Sequence, residues 1–177
     1  PILTEEARKA EFTNEGGVGG RIRFLQNITG LWIMQRLMAE WKERGEEQTF
    51  AQILPAAEQA NISSIIPVAD AAFMNPSSME QAICDYCKQS NQQVPQTKGE
   101  LVRTVLLSLA TKYREAINGI SGIMPEKPKR LHIIGGGSQN DLLNQYTADA
   151  LGIPVWAGPV EATAMGNILV QAMAAGE

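Results

Sequence analysis

Three consecutive glycines, Gly135, Gly136 and Gly137, follow a short apolar run at residues 130–134 and precede Ser138, Gln139, Asn140 and a helical pattern. Glycines at such a join let the backbone turn tightly and let a ligand approach with no Cβ in the way. The helix beyond offers unpaired N–H groups and the positive end of its dipole, and both favour an anion. Ligands of open α/β sheets lie at the carboxyl ends of strands, where this turn falls. Three glycines exceed what a plain strand-to-helix turn needs, so the run reads as a nucleotide-binding turn. Two familiar phosphate motifs do not fit it. A P-loop needs Gly-Lys-Ser/Thr, and the chain has no Gly-Lys pair. A dinucleotide fingerprint needs Gly or Ala where Asn140 stands, although Glu161, after the next strand, sits where an acidic ribose ligand could lie. A dinucleotide-dependent oxidoreductase domain therefore stays open as an alternative.

Other reactive side chains are few. Cys84 and Cys87 form a C-x-x-C within a helical stretch, but two Cys and one His do not make a closed zinc site without carboxylates. Two reduced cysteines on an ordinary helix, and no metal site, are expected. His132 lies inside an apolar strand and reads as a core histidine. The chain has 177 residues, 44% hydrophobic and 19% charged, which suits one globular domain. Its net charge is −4, and the nearest thing to a basic cluster is Lys127, Lys129 and Arg130. Nucleic acid, which needs concentrated positive charge, is not an expected partner. No apolar run approaches the ~20 residues of a membrane span, and the acidic N-terminus has no leader pattern, so a cytoplasmic protein with no membrane partner is expected.

The elements that must position the glycine turn are legible as patterns. Residues 11–17 and 21–26, around paired glycines, read as a hairpin. A helix follows over about 30–44, with Leu31, Ile33, Met34, Leu37, Met38 and Trp41 at three- and four-residue spacing and Gly45 ending it. These Met and Trp residues read as core. A short helix at 49–60 starts from Thr49, a loop with a buried Ile65-Ile66 piece follows, and a helix at about 79–90 comes next. The longest helix is expected over 99–118, with Leu101, Val105, Leu109, Tyr113 and Ile117 on one stripe. The last third alternates strand, helix, strand and helix: residues 130–134, 140–151, 154–157 and 161–174. Two parallel strands with right-handed crossovers follow from that order. Glu161 reads as the cap of the last helix, and Ala162, Ala164 and Gly166 would allow close packing.

Four stretches, residues 131–140, 142–149, 152–155 and 158–167, resemble the adenosine-binding half of the FGGY carbohydrate kinases, of the actin/hexokinase superfamily. Residues 12–17 and 23–32 resemble the rhamnulokinase branch of that family. The resemblance covers nearly the entire chain. It implies an α/β, ribonuclease-H-like nucleotide-binding domain over 1–177, with a helical insertion at about 46–98. It implies ATP as the nucleotide, with ADP as product and Mg²⁺ in the full-length enzyme. L-rhamnulose, or another sugar if the branch differs, would be held through an N-terminal domain. Position by position, Gly136, flanked by Gly135 and Gly137, matches the glycine whose backbone meets the nucleotide near its α-phosphate. Asn140 matches a polar residue near the adenine, Gln35 a glutamine contacting the nucleotide, and Asn27 an asparagine facing the cleft and substrate. On an amphipathic helix Gln35 also reads as a plain solvated position. The catalytic Asp of the family lies in the N-terminal domain, and none of Asp70, Asp85, Asp141 and Asp149 stands in a matching context. The chain is therefore expected to be a fragment that does not turn over by itself. A non-catalytic nucleotide-binding or scaffold protein is the third reading.

Overall fold

In a computed structural model of the chain, residues 1–28, 30–124 and 126–176 are described. The elements run α1 (Glu5–Lys9), β1 (Phe12–Gly16), β2 (Ile22–Gln26), α2 (Trp32–Glu43), α3 (Phe50–Gln59), α4 (Met79–Gln89), α5 (Lys98–Ile123), β3 (Leu131–Ile133), α6 (Asp141–Leu151), β4 (Val155–Ala157) and α7 (Ala162–Ala175). Short 3-10 turns lie at Val18–Gly20, Ala71–Phe73 and Gly136–Gln139. The strands make two separate two-stranded sheets. Strands β1 and β2 pair antiparallel, Phe12 opposite Gln26 and Gly16 opposite Ile22. Strands β3 and β4 pair parallel, with Leu131 opposite Val155 and Ile133 opposite Ala157. The hairpin and the parallel pair expected from the pattern are both formed.

Helix α5 carries the core. Its N-terminus is set by a capping box, in which Thr97 accepts from the Glu100 N–H and the Glu100 carboxylate accepts from the Thr97 N–H at 3.0 Å. Leu101, Val102, Val105, Leu106 and Leu109 are buried along it. Against them pack Ile33, Met34, Leu37 and Trp41 of α2, Ile53 and Ala57 of α3, Ile83 and Cys87 of α4, and Leu143 of α6. Helices α3 and α4 thus share one core with α2 and α5. The helix runs to Ile123, beyond the expected stop at residue 118. Gly119 alone does not break it, because that turn is held from the side: the Phe12 ring lies against Gly119, and Ser121 donates to the Ile117 carbonyl at 2.8 Å.

Two polar clamps fix the helices. Glu40 of α2 accepts from the Ser78 hydroxyl at 2.6 Å and the Met79 N–H at 2.8 Å, closing the open N-terminus of α4. Glu80 accepts from Trp41 Nε1 at 3.0 Å and Arg44 Nη2 at 2.6 Å. Burial alone would raise the Glu80 carboxyl, but the hydrogen bonds from Arg44 and Trp41 outweigh it and hold it below the ordinary carboxylate range. Arg103 forms the second clamp. It donates to the Ala57 and Glu58 carbonyls at the end of α3, to the Ile62 carbonyl, and at 2.6 Å to the Tyr146 hydroxyl of α6.

Three expectations about the last third need correction. His132 is exposed rather than core. In a two-stranded ribbon alternate residues face opposite ways, so half-buried Leu131 and Ile133 share one face and His132 and Ile134 the other. The His132 ring sits edge-on to Trp156 at 5.0 Å, and Arg130 lies over that Trp ring at 4.5 Å. Glu161 occupies the N-cap position of α7, but its side chain makes no capping bond. No residue of α7 is fully buried among the described residues: Ala162 is half-buried, and Ala164 and Gly166 are exposed. In α2, Met34 and Trp41 are fully buried as expected, whereas Trp32 is exposed and donates to the Met74 carbonyl at 3.2 Å. Cys84 and Cys87 are free, and burial pushes both thiols up.

The packing predicts opposite outcomes at two glycines of α5. A Cβ on Gly99 would lie 2.7 Å from the Ala56 carbonyl oxygen, a backbone atom that cannot swing away. Gly99→Ala should therefore lower stability by about 1–3 kcal/mol in a urea or thermal melt. Gly122 has open space around it, so Gly122→Ala should raise stability by up to about 1 kcal/mol. Glu80 gives an acid-side prediction. A carboxylate held low in the folded state contributes stability above its ordinary range and loses it as pH falls through that range. Glu80→Gln should flatten the fall in melting temperature between about pH 6 and pH 3 relative to the unsubstituted chain.

Candidate functional site

The glycine turn stands at the carboxyl end of β3. Gly135 has φ 78° and ψ −168°, a backbone region open essentially to glycine alone. Its N–H donates to the Pro159 carbonyl at 3.0 Å, beyond β4, and Gly158 N–H donates to the Ile133 carbonyl at 2.8 Å. The ribbon therefore fixes where the turn starts. The chain then makes a 3-10 turn over Gly136–Gln139, in which Ser138 donates to the Gly135 carbonyl through its N–H at 3.0 Å and its hydroxyl at 2.7 Å. Among the described residues, neither the Gly136 nor the Gly137 N–H donates to an acceptor. A Cβ on either glycine would meet nothing within 4 Å. Among the described residues the turn thus offers two donors without acceptors, on glycines whose Cα positions leave room for close approach, beside the N-terminus of the eleven-residue helix α6. An anionic group can approach there and be met by backbone alone.

Asn140 is placed otherwise than as a surface contact. It is 6% exposed and caps α6, its Oδ1 accepting from the Leu143 N–H at 3.0 Å. Its Nδ2 is buried with no partner among the described residues. Pattern reading did not single out Asn144, one turn further on. It is buried as well, and its Nδ2 donates to the Ser138 carbonyl at 2.9 Å. Only its place one helical turn after Asn140 could have marked it. One residue before Thr147, Tyr146 packs against the core and meets Arg103 of α5: burial raises its phenol, and the guanidinium pulls the other way.

A cleft of about 540 Å³ separates the two sheets. One wall holds Phe12, Gln26, Ile28, Gly30 and Leu31, the other holds residues 131–134 and Gly137, and Tyr113, Ala116, Ile117 and Ile120 of α5 form the floor. The expected residues divide accordingly. Gly137 lines the cleft, and Gly135 and Gly136 continue from it. Asn27 is exposed between Gln26 and Ile28 of the opposite wall, and Gln35 is exposed on the first turn of α2, just past Leu31. Neither makes a hydrogen bond to the glycine turn among the described residues. Among the described residues no Lys, Arg, Asp or Glu lines the cleft.

Comparison with known proteins places the chain in a family. Residues 1–175 match the C-terminal domain of the FGGY family of carbohydrate kinases. The chain belongs to that family. Among its relatives is a rhamnulokinase of Bacteroides thetaiotaomicron, 45% identical over 178 residues that cover 100% of this chain and 36% of that protein. A rhamnulokinase of Pectobacterium carotovorum is 46% identical over 99% of this chain and 35% of its own length. One of Bacillus subtilis is 40% identical over 100% of this chain and 36% of its own length. The chain thus spans a little over a third of these curated FGGY relatives. Membership leaves the dinucleotide-dependent oxidoreductase reading without support. Among the described residues no helix is long and apolar enough to cross a membrane.

The capping role of Asn140 is testable by itself. Asn140→Ala should cost about 1 kcal/mol in a denaturant melt, while Asn140→Ser, which keeps a capping oxygen, should recover most of it. Equal melts for the two variants would mean that the side chain does not cap α6.

Proposed function

We propose that the full-length protein transfers the γ-phosphoryl group of ATP to L-rhamnulose, giving rhamnulose 1-phosphate, and that these 177 residues supply its nucleotide-facing part. The observation that carries the proposal is the pair of N–H groups at Gly136 and Gly137 that have no acceptor among the described residues, on glycines with open space at the Cβ position, at the end of β3. Phosphoryl transfer asks a protein for positioning and electrostatic stabilisation more than for covalent chemistry. Backbone donors at a helix N-terminus supply both for a nucleotide phosphate. In this reading Gly136 meets the α-phosphate, flanked by Gly135 and Gly137. Asn140 shapes the turn beside the adenine, Gln35 approaches the nucleotide from α2, and Asn27 faces the substrate side. The sugar assignment rests on relatives that are rhamnulokinases.

The catalytic base is assigned to the rest of the full-length protein. Asp70 accepts from the Ala72 N–H, Asp85 from Gln81 and Asp149 from Gln145, each at 2.8 Å on an exposed surface, and Asp141 opens α6 exposed. The domain is proposed to be of ribonuclease-H-like type, with residues 46–98 as a helical insertion. Two features support this: α5 floors both sheets, and the 46–98 stretch adds helices but no strand.

Release of ADP by the full-length protein, measured with ATP and a panel of ketoses, tests the reading. Turnover that depends on L-rhamnulose is expected. Turnover with a different ketose alone would keep the kinase and replace the sugar, and none with any sugar would overturn both. Gly136→Val should leave the melting temperature nearly unchanged, since its Cβ meets nothing. It should raise the KM for ATP by about tenfold or more, the cost of losing one or more hydrogen bonds to a charged group. An unchanged KM would refute the role given to Gly136.

A further inference from the structure

We infer that Asn144 is a positioning residue for the nucleotide, acting through the glycine turn and not by touching the ligand; the inference rests on the nucleotide reading above. Asn144 is 8% exposed, on the inner face of α6 beside fully buried Thr147. Its Nδ2 donates to the Ser138 carbonyl at 2.9 Å, six residues back and inside the 3-10 turn. Ser138 in turn donates twice to the Gly135 carbonyl. The chain of bonds therefore runs from α6 through Ser138 to Gly135, the residue with the glycine-only backbone. Pinning both ends of the turn leaves the Gly136 and Gly137 peptides between them little freedom, so their N–H groups stay in one orientation.

Asn144 Oδ1 and Asn140 Nδ2 are both buried without a partner among the described residues. A buried amide with an unpaired atom costs stability, of the order of 1–3 kcal/mol. An apolar residue of similar size would avoid that cost, so Asn144 is a poor choice for the core and a good one for holding the Ser138 carbonyl. Because the unpaired atoms are covered by protein, they cannot contact a bound nucleotide directly. What Asn144 gives the site is the shape of the turn.

The test uses steady-state kinetics of the full-length protein. Asn144→Leu and Asn144→Ala both remove the donor, one filling the space and one opening it, so failure of either to fold leaves the other. Thr147→Val is the control. It deletes a buried bond of α6, Thr147 Oγ1 to the Leu143 carbonyl at 2.7 Å, with no link to the glycine turn. Each folded Asn144 variant should raise the KM for ATP by about tenfold, the size of one lost neutral hydrogen bond. The kcat and the KM for the sugar should stay within about twofold. Thr147→Val should lower the melting temperature while leaving the KM for ATP in place. An unchanged KM for ATP in a folded Asn144 variant, or an equal rise in Thr147→Val, would overturn the inference. If Gly136→Val also leaves ATP use unchanged, the nucleotide reading itself has failed. If Gly136→Val impairs ATP use and Asn144 does not, only the positioning role falls.

Discussion

The buried face of α5 is the constraint on which the rest depends. Five apolar residues over its first half, Leu101, Val102, Val105, Leu106 and Leu109, lose contact with water, each worth about 2 kcal/mol by area transfer. That face gathers α2, α3, α4 and α6 into one core. The second half of the same helix floors the cleft between the sheets. One rigid element therefore sets both the stability of the domain and the separation of the cleft walls. Arg103 extends this control outward, tying the end of α3 and Tyr146 of α6 to α5 with four hydrogen bonds. Helix α6 cannot shift without breaking that clamp, and the glycine turn is held to α6.

Local rules conflict at the glycine turn, which makes it the candidate site. Gly135 adopts a backbone closed to other residues, and among the described residues two N–H groups have no acceptor. Asn140 and Asn144 place amides in a buried position and leave one atom of each unpaired. Buried atoms without a partner also occur away from the turn, at Gln26 Oε1, Arg36 Nε and Thr104 Oγ1; at the turn two of them coincide with a glycine-only backbone. The absence of charged side chains from the cleft among the described residues fits the proposed role, in which backbone dipoles at a helix start would meet phosphate charge.

Much of this was legible in the sequence, for reasons that are local. Thr49 and Gln52 form a capping box within four residues, and the expected helix begins where they place it. Gly152 takes the left-handed conformation that ends α6. The triple glycine marked the site because no ordinary turn requires it. What was not legible depended on neighbours distant in sequence. Past residue 118, α5 runs on beside the ring of Phe12, more than a hundred residues away. His132 reads as core in an apolar run, yet a ribbon of two strands has an outer face, and His132 lies on it beside Trp156. Asn140 carries its expected position at the turn but spends its oxygen on the helix. Asn144 looks like any helical Asn until the Ser138 carbonyl is seen opposite it. The Ala and Gly spacing of α7 predicts close packing that the described residues do not provide.

The most direct measurement is an amide NMR titration of the full-length protein labelled with ¹⁵N-glycine, comparing ADP with adenosine. If the turn receives a nucleotide phosphate, the Gly136 and Gly137 amides will shift downfield with ADP and much less with adenosine, while Gly122 on α5 stays in place. Saturating ADP that moves other glycines and leaves Gly136 and Gly137 unmoved would contradict the account.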